Sequence, residues 1–139
     1  MIRRAGPEDR ATLLTLTAEF YQVDDHPFDM SVVEAGVDPL LANDEYGIVL
    51  ITDDGYAVVT WSYSLESGGR DALLDELYVR RRSRGIGSSL IEAIFSEMRA
   101  RGLRRIFLET EPSNQEARSF YQRHGFRIED SVWMAADIG

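Results

Sequence analysis

The sequence predicts an α+β fold in which a mixed central sheet is flanked by helices. In the first half, Asp54 and Gly55 separate two apolar runs, which is typical of a hairpin, and a third run at 72–79 completes an antiparallel meander. A strand, a helix and a second strand then follow one another over 72–110, as in a parallel pair joined by a right-handed crossover. We therefore expect an antiparallel N-terminal half and one parallel pair.

The remaining elements follow from hydrophobic periodicity. Pro7 opens a first helix whose apolar residues recur at helical spacing to about Gln22. Ser31 with Glu34 three residues later has the pattern of a capping box that starts a second helix, which Pro39 kinks or restarts. Further helices are predicted over 86–102 and after residue 114, and strands over 2–5, 46–52, 56–65, 105–110, 126–128 and 132–136.

The composition is that of a single folded domain spanning 1–139, with 44% hydrophobic and 28% charged residues. No apolar run approaches the about 20 residues needed to span a bilayer, and the N-terminus lacks a signal-peptide core. With no cysteine and only two histidines, neither a disulfide nor a thiolate or imidazole metal site is expected. We expect a cytoplasmic protein without a metal ion or a membrane partner.

The net charge of −9 is unevenly distributed along the chain. Residues 1–79 hold 4 arginines and 16 acidic residues, whereas residues 80–139 hold 11 arginines and 8 acidic residues. The acidic part would repel nucleic acid, so no nucleic-acid partner is expected, and it suits a cationic substrate. Carboxylates and aromatic rings are concentrated at 22–30, a mixture that binds amines; the alternative is a solvated connector.

The residues between the third apolar run and the next helix have the features of an anion site. Four arginines lie within 80–84, and Gly85 and Gly87 follow where the helix begins. N–H groups in the first turn of a helix lack an intrahelical acceptor, the helix dipole adds positive charge, and glycine allows close approach. The pattern predicts a pyrophosphate site. A Walker loop is excluded because its string is absent, and a dinucleotide fingerprint because Leu90 stands where a small residue is needed.

Residues 73–127 resemble the GCN5-related N-acetyltransferase (GNAT) superfamily. Arg82-x-x-Gly85-x-Gly87, preceded by Leu-Tyr-Val at 77–79, is similar to the acetyl-CoA signature of that family. A second family motif is similar to a pattern about thirty residues later, formed by Asn114, Ala117, Phe120, Tyr121, Gly125 and Phe126. Residues 1–70 match the family only in the order of their elements.

The resemblance implies the GNAT fold and an acetyl-CoA-dependent N-acetyltransferase. Backbone groups of Leu77, Tyr78 and Val79 would pair with the pantetheine arm, and Asn114 would contact the same part of the cosubstrate. Arg82 and Arg84 would add positive charge. N–H groups holding the pyrophosphate would come from Arg84, Gly85, Ile86, Gly87 and Ser88.

In such enzymes the amine attacks the thioester directly, so the chain needs only an acid and a base. Tyr121 occupies the family's tyrosine position, and a phenol with a reference pKa of about 10 suits protonation of the departing thiolate. Asp75, Glu109 or a chain of waters would act as base. Asp75 shares the strand face of Leu77 if no bulge intervenes, whereas Glu76 should point the other way in a structural role.

The predicted acceptor is a primary amine on a cationic small molecule: a polyamine, an aminoglycoside-like amine or an amino-acid amine. A protein or peptide N-terminus is the alternative acceptor. A coenzyme A-binding module without catalysis is an alternative of another class. The resemblance also implies a homodimer as one option, with 131–138 as the strand available for pairing or exchange.

Overall fold

The structure, a computed structural model, describes residues 1–82 and 84–139; Ser83, inside the predicted anion-binding turn, lies outside the described residues. Five strands form one sheet in the order β1-β2-β3-β4-β5, antiparallel from β1 to β4 and parallel between β4 and β5. The predicted mixed sheet is therefore confirmed. The elements are β1 (Arg3–Arg4), α1 (Arg10–Val23), α2 (Met30–Ala42), β2 (Gly47–Thr52), β3 (Gly55–Ser64), β4 (Gly69–Val79), α3 (Ile86–Ala100), β5 (Ile106–Phe107) and α4 (Gln115–Arg123).

Helices cover both faces of the sheet because its central strands are apolar on both sides. On one face, Val49 and Val58 lie opposite each other in register and pack with Leu13 and Leu16 of α1. The neighbouring positions on the other face are buried together with apolar residues of α3. Each such side chain contributes about 1.5–3 kcal/mol when fully buried, so these two layers fix how α1 and α3 sit on the sheet.

Two compact units divide the chain. Residues 1–109 contain the sheet and the first three α-helices, and residues 110–139 contain α4 and the segment that follows it. Among residues 1–82 and 84–139, no helix has the length and apolar character to cross a membrane.

Several predicted strands are shorter than expected or do not form. The strand predicted over 105–110 is limited to Ile106–Phe107. The strands predicted at 126–128 and 132–136 are wrong, since all residues from 126 to 139 are described and none is in a strand. Val132 and Met134 alternate as in a half-buried strand, yet they are 85% and 90% exposed. An alternating pattern forms a strand only where its apolar side chains are buried and its backbone pairs with a neighbouring strand, and residues 126–139 have neither.

The predicted start of α2 is also wrong in its capping residue. Asp29, not Ser31, is the N-cap: its carboxylate accepts hydrogen bonds from the Ser31 N–H at 3.0 Å and from the Ser31 hydroxyl at 2.7 Å. The Val33 N–H donates to the Asp29 carbonyl, which makes Asp29 the first acceptor of the helix. The helix then runs through Pro39 without a restart.

Candidate active site

The turn between β4 and α3 places an accessible helix start after an arginine-rich segment. Gly85 is the N-cap of α3 with φ of 75°, in the left-handed region that favours glycine. The first helical hydrogen bond runs from the Ser89 N–H to the Gly85 carbonyl at 3.0 Å. The N–H groups of Ile86 and Gly87 lie in that first turn, so they have no acceptor within the helix. Because Gly85 is exposed, an anion can reach this helix start.

The arginines before this turn differ in their surroundings. Arg80 makes a bidentate pair with Glu19 of α1, from Nε to Oε1 at 2.8 Å and from Nη2 to Oε2 at 2.6 Å. The hydrogen bonds from the Arg80 guanidinium lower the pKa of Glu19. Arg81 lies 3.9 Å from Asp54, and both Arg82 and Arg84 are exposed. Arg80 therefore fastens the end of β4 to α1.

The edge of β4 that faces β5 is open over most of its length. β5 pairs with β4 only at Ala72 and Leu73. Beyond Leu73, no strand of the described residues pairs with that edge, while residues 77–79 remain paired with β3 on the other side. The backbone of Leu77, Tyr78 and Val79 thus lies in a strand whose second edge is available to an extended ligand.

Asp75 lies at a bulge in β4. Glu76 pairs with Val58 and Leu74 pairs with Val59, so Asp75 has no partner on β3. The bulge removes the condition under which Asp75 would share the face of Leu77, because the extra residue breaks the alternation. Burial of its carboxyl raises the pKa of Asp75 even though much of the residue is exposed.

Glu76 is the centre of a hydrogen-bond network on the α1 side of the sheet. Its carboxylate accepts hydrogen bonds from the hydroxyl of Tyr21 and, at 2.7 Å, from the hydroxyl of Tyr56, which is completely buried. Hydrogen bonds to a charged group contribute about 1.5–3 kcal/mol each. Burial raises the pKa of Glu76, and the charge of Asp75 adds to that effect while both tyrosines oppose it. The predicted orientation of Glu76, away from Leu77, is confirmed.

The partners of Glu76 are the part of this region that sequence reasoning missed. The alternation of Glu76 and Tyr78 in β4, continued by Arg80 just after it, was the available signal, since it puts polar groups on one side of the strand. Identifying Tyr21 as a partner requires the docking of α1, which periodicity alone does not determine.

Glu109 lies just beyond β5 and is exposed. The last paired positions of the parallel strands are Leu73 and Phe107. Asp75 and Glu109 each follow those positions by two residues in the sequence, after strand pairing has ended. Both predicted bases therefore lie beyond the last paired positions of β4 and β5 in the chain, and their role as bases stays a prediction.

Asn114 and Tyr121 belong to the second unit, residues 110–139. The Asn114 side chain caps α4 by accepting a hydrogen bond from the Ala117 N–H at 3.1 Å. Tyr121 follows two helical turns later, with ring centroids 5.2 Å from Phe120 and 5.5 Å from Phe126. Burial raises the pKa of Tyr121 to about 12, so its hydroxyl is protonated at neutral pH and can donate a proton.

A cavity of about 340 Å³ lies elsewhere in the first unit. Its lining includes Trp61, Arg70 and Arg101, and Arg101 is the C-cap of α3. Since α3 has 15 residues, a rise of 1.5 Å per residue puts that end about 22 Å from the helix start at Gly85. The predicted site is thus an open strand edge and a helix start, and this cavity is no part of it.

Known proteins share both the sequence pattern and the fold. The model of the acetyltransferase (GNAT) family matches residues 11–126. The uncharacterized N-acetyltransferase YhfO of Bacillus subtilis (strain 168) is 27% identical over 132 residues, which cover 90% of this chain and 88% of that protein. A putative acetyltransferase from Arthrobacter sp. FB24 is 29% identical, with a TM-score of 0.87 over 99% of this chain and 96% of its own.

An aminoglycoside acetyltransferase from an uncultured soil metagenomic sample, solved in complex with sisomicin, shares the fold. It is 18% identical, with a TM-score of 0.81 over 100% of this chain and 96% of its own. The family match spans the β4–α3 turn, the β4 bulge and α4, all of which the structure describes apart from Ser83. The chain belongs to the acetyltransferase (GNAT) family.

Proposed function

We propose that this acetyltransferase moves an acetyl group from acetyl-CoA directly to a primary amine. The observation that carries the proposal is the open edge of β4 next to the accessible start of α3. Coenzyme A has an amide-bearing arm that suits the strand edge at 77–79 and a pyrophosphate that suits a helix N-terminus. Arg82, together with the residues from Arg84 to Ser88, would hold the pyrophosphate, and Asn114 would contact the arm. The family's general use of acetyl-CoA supports this choice of donor.

Bound acetyl-CoA would supply the acetyl thioester, and the chain would manage the protons. A base removes a proton from the acceptor ammonium, so that the nitrogen lone pair can form the new bond to the acetyl carbon as the carbon–sulfur bond breaks. Asp75 is the proposed base, with Glu109 or a water chain as alternatives, because a raised pKa brings a carboxylate closer to the basicity of an amine. Tyr121 would donate a proton to the departing thiolate, and the second proton lost by the acetylated nitrogen would restore the phenol as the amide forms.

The proposed acceptor is the amine of a cationic small molecule: a polyamine, an aminoglycoside-like compound or an amino-acid derivative. Asp24 and Asp25 are exposed in the loop after α1, close in sequence to the half-buried ring of Phe28. Asp29 is occupied as a helix cap, so it contributes less than the sequence suggested. A peptide N-terminus is the second candidate, favoured by the exposed position of Glu109 beyond β5.

Thiol release from acetyl-CoA in the presence of single amines tests the proposal. The panel contains spermidine, sisomicin and a short peptide with a free N-terminus, and we expect release that depends on at least one cationic small molecule. Tyr121→Phe should lower turnover at least about tenfold and leave acetyl-CoA affinity within about twofold. Tyr63→Phe is the matched control, because Tyr63 is 75% exposed on β3.

Two outcomes would contradict parts of this proposal. Tight binding of acetyl-CoA without release for any amine would favour a coenzyme A-binding module. Full turnover of Tyr121→Phe would remove Tyr121 from the mechanism.

A further inference from the structure

Three consecutive residues of α1 contact two alternating residues of β4, Glu76 and Tyr78, and Arg80 just after the strand. Glu19 pairs with Arg80 and also accepts a hydrogen bond from the Tyr78 hydroxyl at 3.3 Å. The ring of Phe20 stacks on Tyr78 with centroids 5.4 Å apart. Tyr21, the last of the three, donates its hydroxyl hydrogen bond to Glu76. The end of α1 is thus held by one face of β4, with Glu76 as the contact nearest to the bulge.

The loop at 24–29 is attached to the same tyrosine. The His26 N–H donates to the Tyr21 carbonyl at 2.9 Å, and the His26 ring lies edge-on to the Tyr21 ring at 5.0 Å. Phe28 also makes an edge contact with Tyr21, at 5.5 Å. Asp25, between them, has φ of 52°, a left-handed conformation that non-glycine residues rarely adopt. Contacts made by Tyr21 hold this strained turn in place.

We propose that Glu76 is a positioning residue that acts through Tyr21 to hold the 24–29 loop as a wall of the acceptor site. This inference rests on the proposed function, in which the acidic loop receives a cationic amine. Glu76 determines how tightly the acceptor binds and takes no part in proton transfer.

The surroundings of Glu76 favour positioning over a role as base. Its carboxylate already accepts hydrogen bonds from two phenols, and one of them, Tyr56, cannot reach solvent. Taking up a substrate proton would turn an accepting oxygen into a hydroxyl and disrupt an accepted bond. The other titratable groups that act on Glu76 are Asp75 and His26. Asp75 lies at the bulge and is partly exposed, and no phenol of the described residues donates a hydrogen bond to its carboxylate.

Hydrogen exchange on the enzyme alone is the first arm of the test. Tyr21→Phe removes the hydroxyl and retains the ring that contacts His26 and Phe28, and Glu76→Gln retains the shape of the carboxylate. We expect both variants to exchange the amides of residues 24–26 at least about fivefold faster, while amides of β2 keep their protection. Tyr63→Phe, the control, should leave every amide unchanged.

Steady-state kinetics are the second arm, with whichever of spermidine, sisomicin and the peptide is acetylated fastest. Both variants should raise the acceptor KM at least about fivefold, with kcat and the acetyl-CoA KM within about twofold. Unchanged exchange at 24–26 would overturn the proposal, and so would faster exchange with an unchanged acceptor KM. Faster exchange throughout β2 would also overturn it, because Glu76 would then support the whole fold. If no amine is acetylated, the proposed function fails, yet the exchange arm still decides the role of Glu76.

Discussion

Asp75 is the extra residue of the bulge in β4, and the bulge determines its surroundings. The resemblance to known acetyltransferases singles out Asp75 as a candidate base, and strand alternation would place it on the face of Leu77 only in the absence of a bulge. A bulge depends on how β3 pairs, at Val58 and Val59, and not on β4 alone. The sequence therefore identified Asp75 as a candidate base, but it did not determine the direction of its side chain.

A change at Asp75 should be visible in the pH dependence of kcat/KM. A base must be ionised to accept a proton, so activity falls as the pH drops through its pKa, which burial raises in Asp75. We expect Asp75→Asn to lower kcat/KM at least about tenfold and to abolish the acidic limb of the profile. Glu109→Gln serves as the control and should keep that limb. An acidic limb lost only in Glu109→Gln would move the base to Glu109, and identical limbs in all three proteins would indicate water.

At the scale of the elements, α2 shows how two capping signals compete. Ser31 and Glu34 form the expected pattern, yet the hydroxyl of Ser31 donates to Asp29 instead of accepting from the helix. An ionised carboxylate is a stronger acceptor than a hydroxyl and is favoured at the positive end of the helix dipole. The existence of α2 was predictable from periodicity, and its first residue was not, because both candidates satisfy the sequence rule.

Asp29→Ala should therefore destabilise the protein more than Ser31→Ala. We expect the free energy of unfolding, measured by urea denaturation, to fall about twice as much for Asp29→Ala as for Ser31→Ala. Hydrogen bonding to Ser31 lowers the pKa of Asp29, so its carboxylate contributes stability above the unfolded pKa that disappears as the pH falls through the folded value. A larger loss for Ser31→Ala would restore Ser31 as the functional cap.

For the whole molecule, the antiparallel meander of β2, β3 and β4 and the parallel pair of β4 and β5 were predictable, whereas the absence of strands after residue 126 was not. Asp54 and Gly55 fix a hairpin locally, and the strand–helix–strand succession fixes a parallel crossover by handedness. Residues 126–139 carry an alternating apolar pattern without any such local constraint. Whether such a pattern becomes a strand depends on a partner, which short-range rules do not supply.

The acidic balance of the molecule predicts how salt acts on the acceptor. A net charge of −9, with most acidic residues in 1–79, attracts a polycation over long range. Raising the ionic strength from about 0.01 M to about 1 M shortens the screening length from about 30 Å to about 3 Å. We expect the KM for spermidine to rise at least about fivefold over that range, with little change in kcat.

A peptide whose N-terminus is its one cationic group is the comparison for this measurement, and its KM should change much less. A spermidine KM that is independent of salt would argue against recognition of a cationic acceptor by the acidic surface.

The open edge of β4 also bears on how long the protein survives in a cell. A strand edge without a partner is a template on which another chain can pair and aggregate, and residues 74–79 present such an edge toward β5. If the arm of acetyl-CoA occupies it as proposed, the ligand stabilises the native state by mass action and removes the template. The supply of coenzyme A would then govern how much of the protein escapes aggregation and proteolysis, so one metabolite would set both the abundance of the enzyme and its rate.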